Sequence, residues 1–394
     1  GVPPCIWTFF SSLGDEWCFQ RREVELDARF FAVYRVAGNK LDARARAWDI
    51  CLEQTVELPF DVVPEGFVRD QIVGRVESLR KAADGYRAVI SYAAGCAAAE
   101  LPQLLNVLFG NISIKPGICL ERFALPPVLL RHFKGPRFGQ AGLRKRLGAS
   151  RRPLLCAALK PMGFSPEELA DLAHRFALGG IDIVKDDHGL TDQRYAPFEK
   201  RVRLCARAVA KANRTTGLRC VYAPNITAPY TELLDRARFA SRVGAEAVLV
   251  SPGLAGLDAM RAVADDSRVG LPILSHPAFQ GSYVLQPESG VSHYALFGQI
   301  ARLAGADASI YPNYGGRFSF SRAECRSIVE GCRVPMGRLR PILPCPGGGM
   351  SLDRVPELLR FYGHEVILLV GGGLLKHGPD VVENCRTFRR MVGG

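Results

Sequence analysis

From Leu154 to the end of the chain one unit recurs eight times, a short apolar run followed by an amphipathic stretch, and very few folds accept that rhythm. The apolar runs fall at 154–160, 181–185, 219–223, 247–251, 272–276, 308–311, 341–345 and 366–370. Between them lie stretches with helical spacing at 166–178, 201–212, 230–243, 256–265, 294–303, 321–331 and 352–362, with a last helix expected after Gly373. Pro166 and Ser321 stand where helices start, and Gly179, Gly244 and Gly331 stand where they are capped. Strands that are apolar throughout, rather than alternating, belong to a parallel sheet covered by helices. Eight such units close into a (β/α)8 barrel. A doubly wound open sheet is the alternative, but the Gly-x-Gly-x-x-Gly turn that usually follows its first strand is missing.

The first part of the chain has another pattern. Residues 25–36 read as a strand, 41–53 as a helix, 66–78 and 86–93 as two strands, and 101–109 as a second helix. The expected order is therefore an extension at 1–24, an α+β domain at 25–130, a linker at 131–153 and the barrel at 154–394. The linker reading rests on Arg131, Lys134, Arg137, Arg144, Lys145, Arg146, Arg151 and Arg152, which lie in a Gly-rich stretch without an acid. Hydrophobic residues make up 48% and charged residues 23%, enough to bury a large core. No apolar run approaches the roughly 20 residues that cross a bilayer, and the first residues lack the basic start of a secretory signal. The net charge of +12 raises the question of nucleic acid, but the basic segment has no interleaved aromatics beyond two Phe, so no nucleic-acid partner is expected. The twelve cysteines are scattered and form no Cys-x-x-Cys pair, which fits reduced thiols in a cytoplasmic protein.

Barrel enzymes place their reactive groups at the C-terminal ends of the strands. Here those ends carry Lys160-Pro161, Lys185-Asp186-Asp187-His188, Asn225, His276, the run Asn313-Tyr314-Gly315-Gly316-Arg317, and two glycine triplets. The triplets, Gly347-Gly348-Gly349 and Gly371-Gly372-Gly373, follow strands seven and eight, where bare backbone amides commonly hold a phosphate. A lysine at a buried strand end followed by two aspartates is costly unless the charges are paired or bound to metal. An internal ion pair satisfies that requirement. So does a lysine of lowered pKa that adds CO2 and becomes an anionic oxygen ligand.

The run from Gly179 to His188 resembles the activation motif of RuBisCO, in which the lysine is carbamylated and holds Mg2+. The likeness extends over about residues 25–390. Leu159-Lys160-Pro161 resembles the family's first-strand motif, whose lysine transfers protons. Glu53-Gln54-Thr55 and Asn111 resemble the positions at which the N-terminal domain of one subunit reaches into its partner's active site, so the resemblance implies a homodimer. His276 is similar to the family's strand-five substrate-binding histidine. The resemblance also implies that the N-terminal α+β domain is ferredoxin-like. There are departures as well. His188 stands in place of an acidic metal ligand, Met162 in place of a second lysine, and Arg317 in place of the lysine that meets incoming CO2. Pro277, Gln280 and Glu57-Leu58-Pro59 replace further substrate contacts. These losses imply a RuBisCO-like protein rather than a ribulose-bisphosphate carboxylase.

The resemblance implies a site with Mg2+ on Lys185 carbamate, Asp187 and His188. Lys160 then serves as acid or base, His276 and Arg317 contact the substrate, both glycine triplets hold a phosphate, and Glu53 and Asn111 come from the partner. The expected chemistry is an enolate formed on a phosphorylated keto sugar or sugar acid. Because Arg317 and His276 suit a carboxylate, decarboxylation of an oxo-sugar-acid phosphate, of the oxo-isoapionate phosphate type, is the first expectation. The diketo-methylthiopentyl phosphate enolase and the methylthioribulose phosphate isomerase are the alternatives, and a catalytically silent binding relative is a third.

Overall fold

The computed structural model describes residues 28–149, 151–316, 318 and 320–393. The extension 1–24, the first residues of the expected strand 25–36, and Arg317 lie outside the described residues. The chain forms two compact units.

The smaller unit comprises residues up to Lys134 together with Gln280–Ile300 and Val334–Leu339. Its strands are β1 (Arg29–Val36), β2 (Arg75–Ala82), β3 (Gly85–Ala93) and β4 (Ile118–Ala124), with β10 (Gly290–Val291) supplied from later in the chain. They pair in the order β10-β4-β1-β3-β2, and helices Lys40–Glu53 and Leu101–Phe109 connect β1 to β2 and β3 to β4. The four-strand order β4-β1-β3-β2 is the ferredoxin-like one that was expected. Asn39 caps the first helix through a capping box with Asp42.

One local expectation fails here, and one strand was not expected. Residues 66–78 do not form one strand. Val68–Ile72 is a π-helical turn, held by Asp70 N donating to Gly66 O (2.8 Å) and Arg69 Nη2 donating to Val63 O (2.7 Å), and β2 starts only at Arg75. As an edge strand β2 is charged rather than apolar, which hides it from a hydrophobicity reading. The other miss is β4, whose apolar run is broken by Glu121 and Arg122. Glu121 is there to pair with Arg87 on β3 at 2.9 Å.

The larger unit is a closed parallel barrel of β5 (Leu154–Leu159), β6 (Ile183–Asp186), β7 (Val221–Ala223), β8 (Val248–Val250), β9 (Ile273–Ser275), β11 (Ala308–Pro312), β12 (Leu343–Gly347) and β13 (Ile367–Val370). The strand order is β7-β6-β5-β13-β12-β11-β9-β8, and a parallel bridge from Asn225 to Leu249 closes the ring. All eight strands overlap the eight expected runs. Helices Pro166–Leu178, Phe198–Thr216, Tyr230–Arg242, Leu257–Asp265, Arg322–Arg333 and Val355–Tyr362 follow the expected rhythm. Ser165 caps the first of them in a capping box with Glu168. Gly331 lies inside its helix rather than capping it. The stretch 294–303 is a π-helical turn, Ala295–Ile300, followed by Ala301–Leu303.

The segment 131–153 is not simply a solvated linker. It contains a helix, Gly139–Leu147, and Leu143, Leu147 and Ala149 join the barrel core beside Leu154 and Ile367. Arg144 is only 6% exposed. It donates to Glu365 at 3.0 Å and to the carbonyls of Ala149 and Arg152 at 2.9 and 2.8 Å. Its partner lies more than two hundred residues along the chain, so no local pattern reveals that this arginine is neutralised. Among the described residues no helix is long and apolar enough to cross a membrane.

Candidate active site

Side chains on a strand alternate between the two faces of the sheet. In the barrel Cys156, Ile183, Val221, Leu249 and Leu274 all point into the core. Carrying the alternation upward turns Lys160, Lys185, Asp187, Ser251 and His276 inward at the C-terminal mouth, together with Gly347 and Gly371. Asp186 then has to point outward, and it does. Its carboxylate accepts from Tyr222 Oη (2.7 Å), Arg201 Nε (3.1 Å) and the Asn225 amide (3.0 Å), and both Asp186 and Arg201 are fully buried. Of the two adjacent aspartates, one anchors the barrel wall and only Asp187 faces the mouth.

Lys185 is 2% exposed, and its Nζ donates to the Asp186 carbonyl at 2.9 Å. Burial lowers its pKa from the usual lysine value. Asp187 lies 3.3 Å from Lys160 Nζ and 3.4 Å from His188 Nδ1. Burial acts to raise the pKa of this carboxyl, but the His188 contact and the positive charges of Lys160 and Lys185 outweigh it and hold it well below the usual range. The rings of His188 and His276 stack with centroids 4.6 Å apart and planes 12° apart. Burial first, and then the neighbouring Lys185 charge, keeps His276 neutral by lowering its pKa well below the usual histidine value. Asn225 fixes the approach of His188, since its Nδ2 donates to the carbonyls of His188 (2.9 Å) and Leu190 (3.0 Å).

The two glycine triplets follow neighbouring strands, and the second closes against the residues just after the first. A side chain on Gly373 would meet the Met350 carbonyl at 2.4 Å, so only glycine allows this approach. Gly349 has φ +66°, and a Cβ there would lie 2.6 Å from the Gly316 Cα. The turn after β11 is thus pressed backbone to backbone against the turn after β12. Around Gly371 and Gly372 there is open space.

In the smaller unit Asn111 Nδ2 donates to Glu53 at 3.2 Å and to Glu57 at 2.9 Å, and Lys115 pairs with Glu53 at 2.9 Å. The buried Gln54 sets this up, donating to Asn106 and Val107 carbonyls and accepting from the Ile112 amide. Lys160, Lys185, Asp187, His188 and His276 therefore come together in the barrel, and Glu53 and Asn111 come together in the other unit. Two residues were missed. Ser251 is fully buried, its hydroxyl finds no partner among the described residues, and the alternation from Leu249 already pointed it inward. The other is Arg354, whose signal was a cation at a helix start, where the dipole disfavours one.

The donors fit a divalent cation conditionally. Among the described residues no three His, Cys, Asp or Glu side chains group to hold a metal, so a cation here needs Lys185 as its third donor beside Asp187 and His188. As free amines, Lys160 and Lys185 leave an excess of positive charge around Asp187. A carbamate on Lys185 reverses the sign, and the lowered pKa supplies the uncharged amine that such a reaction needs.

Residues 139–316 match the family model for the ribulose bisphosphate carboxylase large chain, catalytic domain. The chain is 41% identical to ribulose bisphosphate carboxylase-like protein 1 of Rhodopseudomonas palustris, over 94% of this chain and 99% of that one. It is also 41% identical to 5-methylthioribulose-1-phosphate isomerase of Rhodospirillum rubrum, over 93% of this chain and 96% of that one. The crystal structure of a RuBisCO-like protein from Rhodopseudomonas palustris superimposes with a TM-score of 0.84 at 40% identity, covering 92% of this chain and 97% of that one.

Proposed function

The chain belongs to the RuBisCO large-chain family, among its RuBisCO-like proteins, and from that premise we propose that it is an enolising isomerase of a phosphorylated keto sugar, with 5-methylthioribulose 1-phosphate as the substrate class. What carries this reading is the 41% identity to 5-methylthioribulose-1-phosphate isomerase over 93% of this chain and 96% of that one, beside the grouping of Lys160, Asp187, His188 and His276 at the barrel mouth. Decarboxylation of a sugar-acid phosphate, expected first from the residue types, calls for a cation to hold the substrate carboxylate. His276, with its pKa lowered by burial, is a poor one, and Lys160 is paired with Asp187. Moving a proton between neighbouring carbons asks for different groups, ones that take a proton and give it back.

Lys160, as its free amine, takes the proton from the carbon next to the substrate carbonyl as the enolate forms, and the ammonium so formed, held beside Asp187, returns that proton to the neighbouring carbon. The neutral His276 imidazole accepts from or donates to a substrate hydroxyl without adding charge to an already cationic mouth. Backbone amides of the glycine turns hold the phosphate, fixing which carbon lies over Lys160. Lys185 as its carbamate, Asp187 and His188 would hold a Mg2+ ion, which would supply electrostatic stabilisation for charge developing on the substrate oxygens. Glu53 and Asn111 are proposed to complete the site of a second copy of the chain. Inactive Lys185→Ala and Asn111→Ala variants should then regain activity when mixed.

The test is to incubate the full chain with 5-methylthioribulose 1-phosphate, Mg2+ and bicarbonate and follow 1H and 31P spectra. A new ketose phosphate with every carbon retained is expected, and Lys160→Met should abolish its formation. Release of CO2 from an oxo-sugar-acid phosphate in preference to isomerisation sinks the reading.

A further inference from the structure

Arg354 stands at the start of the helix Val355–Tyr362, where the first turn disfavours a cation, yet its guanidinium turns back under the barrel mouth. Nη1 donates to Gly349 O at 3.0 Å and to Gly315 O at 3.4 Å, and Nη2 donates to Tyr314 O at 3.2 Å. The Glu357 carboxylate lies 3.5 Å from Nε and also accepts from Tyr314 Oη at 3.1 Å and from Arg322, so the fork is held from behind.

A trans peptide points its C=O and its N–H in opposite directions. With the carbonyls of Tyr314, Gly315 and Gly349 drawn toward Arg354, the N–H groups of Gly315, Gly316 and Met350 are turned away from it. Among the described residues none accepts a hydrogen bond from these three amides. Two of them follow β11 and one follows β12, and the turns that carry them are in backbone contact. Three amides without acceptors, carried by two turns in contact and facing away from one guanidinium, are the donors from which an anion-binding nest is built.

We propose that Arg354 is a positioning residue that joins the turn after β11 to the turn after β12, aiming the amides of Gly315, Gly316 and Met350 as one phosphate-binding set. The inference rests on the phosphate-binding half of the function proposed above and extends the cradle beyond the glycine triplets. It also explains the residue type. Only a planar fork reaches three carbonyls on two turns, and a lysine has one nitrogen on a flexible stem.

The experiment measures binding of inorganic phosphate to the full chain by equilibrium dialysis for wild type, Arg354→Ala and Arg354→Lys, alongside melting curves. Arg354→Ala is expected to weaken phosphate binding by about tenfold or more, with Arg354→Lys in between, as for the loss of several oriented hydrogen bonds. If Arg354→Ala does not fold, the Arg354→Lys value carries the test. KM for the phosphorylated keto sugar should rise in both variants, while kcat/KM for the same sugar without its phosphate stays at the wild-type value. Wild-type phosphate affinity in a folded Arg354→Ala, no phosphate binding by wild type, or an equal loss with the unphosphorylated sugar overturns the proposal. Arg354-dependent phosphate binding by a chain that isomerises no keto sugar keeps this inference and removes only the reaction proposed above.

Discussion

Asp182 and Asp187 flank the same barrel strand and live under opposite rules. Asp182, at the N-terminal end of β6, is 3% exposed and fully engaged. It accepts from both Nη atoms of Arg152 at 2.7 and 2.6 Å, from Arg389 at 2.7 Å and from the Leu155 amide at 2.8 Å. The Asp187 carboxylate, at the C-terminal end, has among the described residues only loose contacts, to Lys160 and His188 at 3.3 and 3.4 Å. The contrast holds around the ring. At the lower end Arg144 is matched to Glu365, and Asp307 takes amides from Phe138, Gly139 and Ile273. At the upper end, among the described residues, the Lys185 amine donates to a single carbonyl and the Ser251 hydroxyl makes no hydrogen bond. A buried charge with every hydrogen bond made can only hold the fold together. A charge left partly satisfied is available to a ligand.

The largest effect that separates the two ends is on rate. Asp187→Asn should lower turnover at least 10³-fold, on the scale of losing a group that stabilises transition-state charge, with the melting temperature nearly unchanged. A comparable loss of melting temperature would make Asp187 a structural residue and dissolve the distinction. Asp182→Ala should do the reverse, leaving Arg152 and Arg389 without their shared carboxylate. Removing one partner of a buried pair costs about 3–5 kcal/mol, read as a lower midpoint in urea, while kcat of the folded fraction is retained.

A smaller effect concerns Asp307, whose pKa is pushed up to about 6 because burial outweighs its three amide hydrogen bonds. A carboxyl that binds its proton more tightly when folded contributes stability that is fully present below about pH 4 and is lost as pH rises through 6, at most about 3 kcal/mol. Asn cannot titrate, so the stability deficit of Asp307→Asn relative to wild type should shrink between pH 4 and pH 7. A deficit that grows over that range would mean the amides favour the ionised form. The smallest effect is a flat one. Since His276 stays neutral, the pH profile of kcat should show no inflection from it near 6.5, and His276→Gln should lower the rate without changing the profile's shape.

These contrasts also mark how far the amino-acid sequence could be read. The barrel was legible because its evidence is local: each strand is a short apolar run and the helix starts carry their own caps, as Ser165 and Glu168 do. Lys160, Lys185, Asp187 and His276 were legible because they end those runs. Arg144 was not, because a charge run looks solvated until Glu365 arrives from across the chain. Residue types alone did not separate Asp186 from Asp187, and only the family resemblance singled out Asp187. That distinction is made by Arg201 on a neighbouring helix and Tyr222 on the next strand, and it appears only when the wall is assembled. Strands β2 and β4 escaped because charged positions within them break the apolar pattern, and Arg354 because its partners are backbone carbonyls that any sequence supplies.

Whether the upper end of the barrel is an enolising site is decided by hydrogen exchange. Wild type and Lys185→Ala would be incubated in D2O with 5-methylthioribulose 1-phosphate, Mg2+ and bicarbonate, and the proton next to the carbonyl followed by NMR. Exchange by wild type that needs both the metal and Lys185 is the predicted result. Equal exchange by Lys185→Ala, or none by wild type with this substrate or other keto-sugar phosphates, would contradict it.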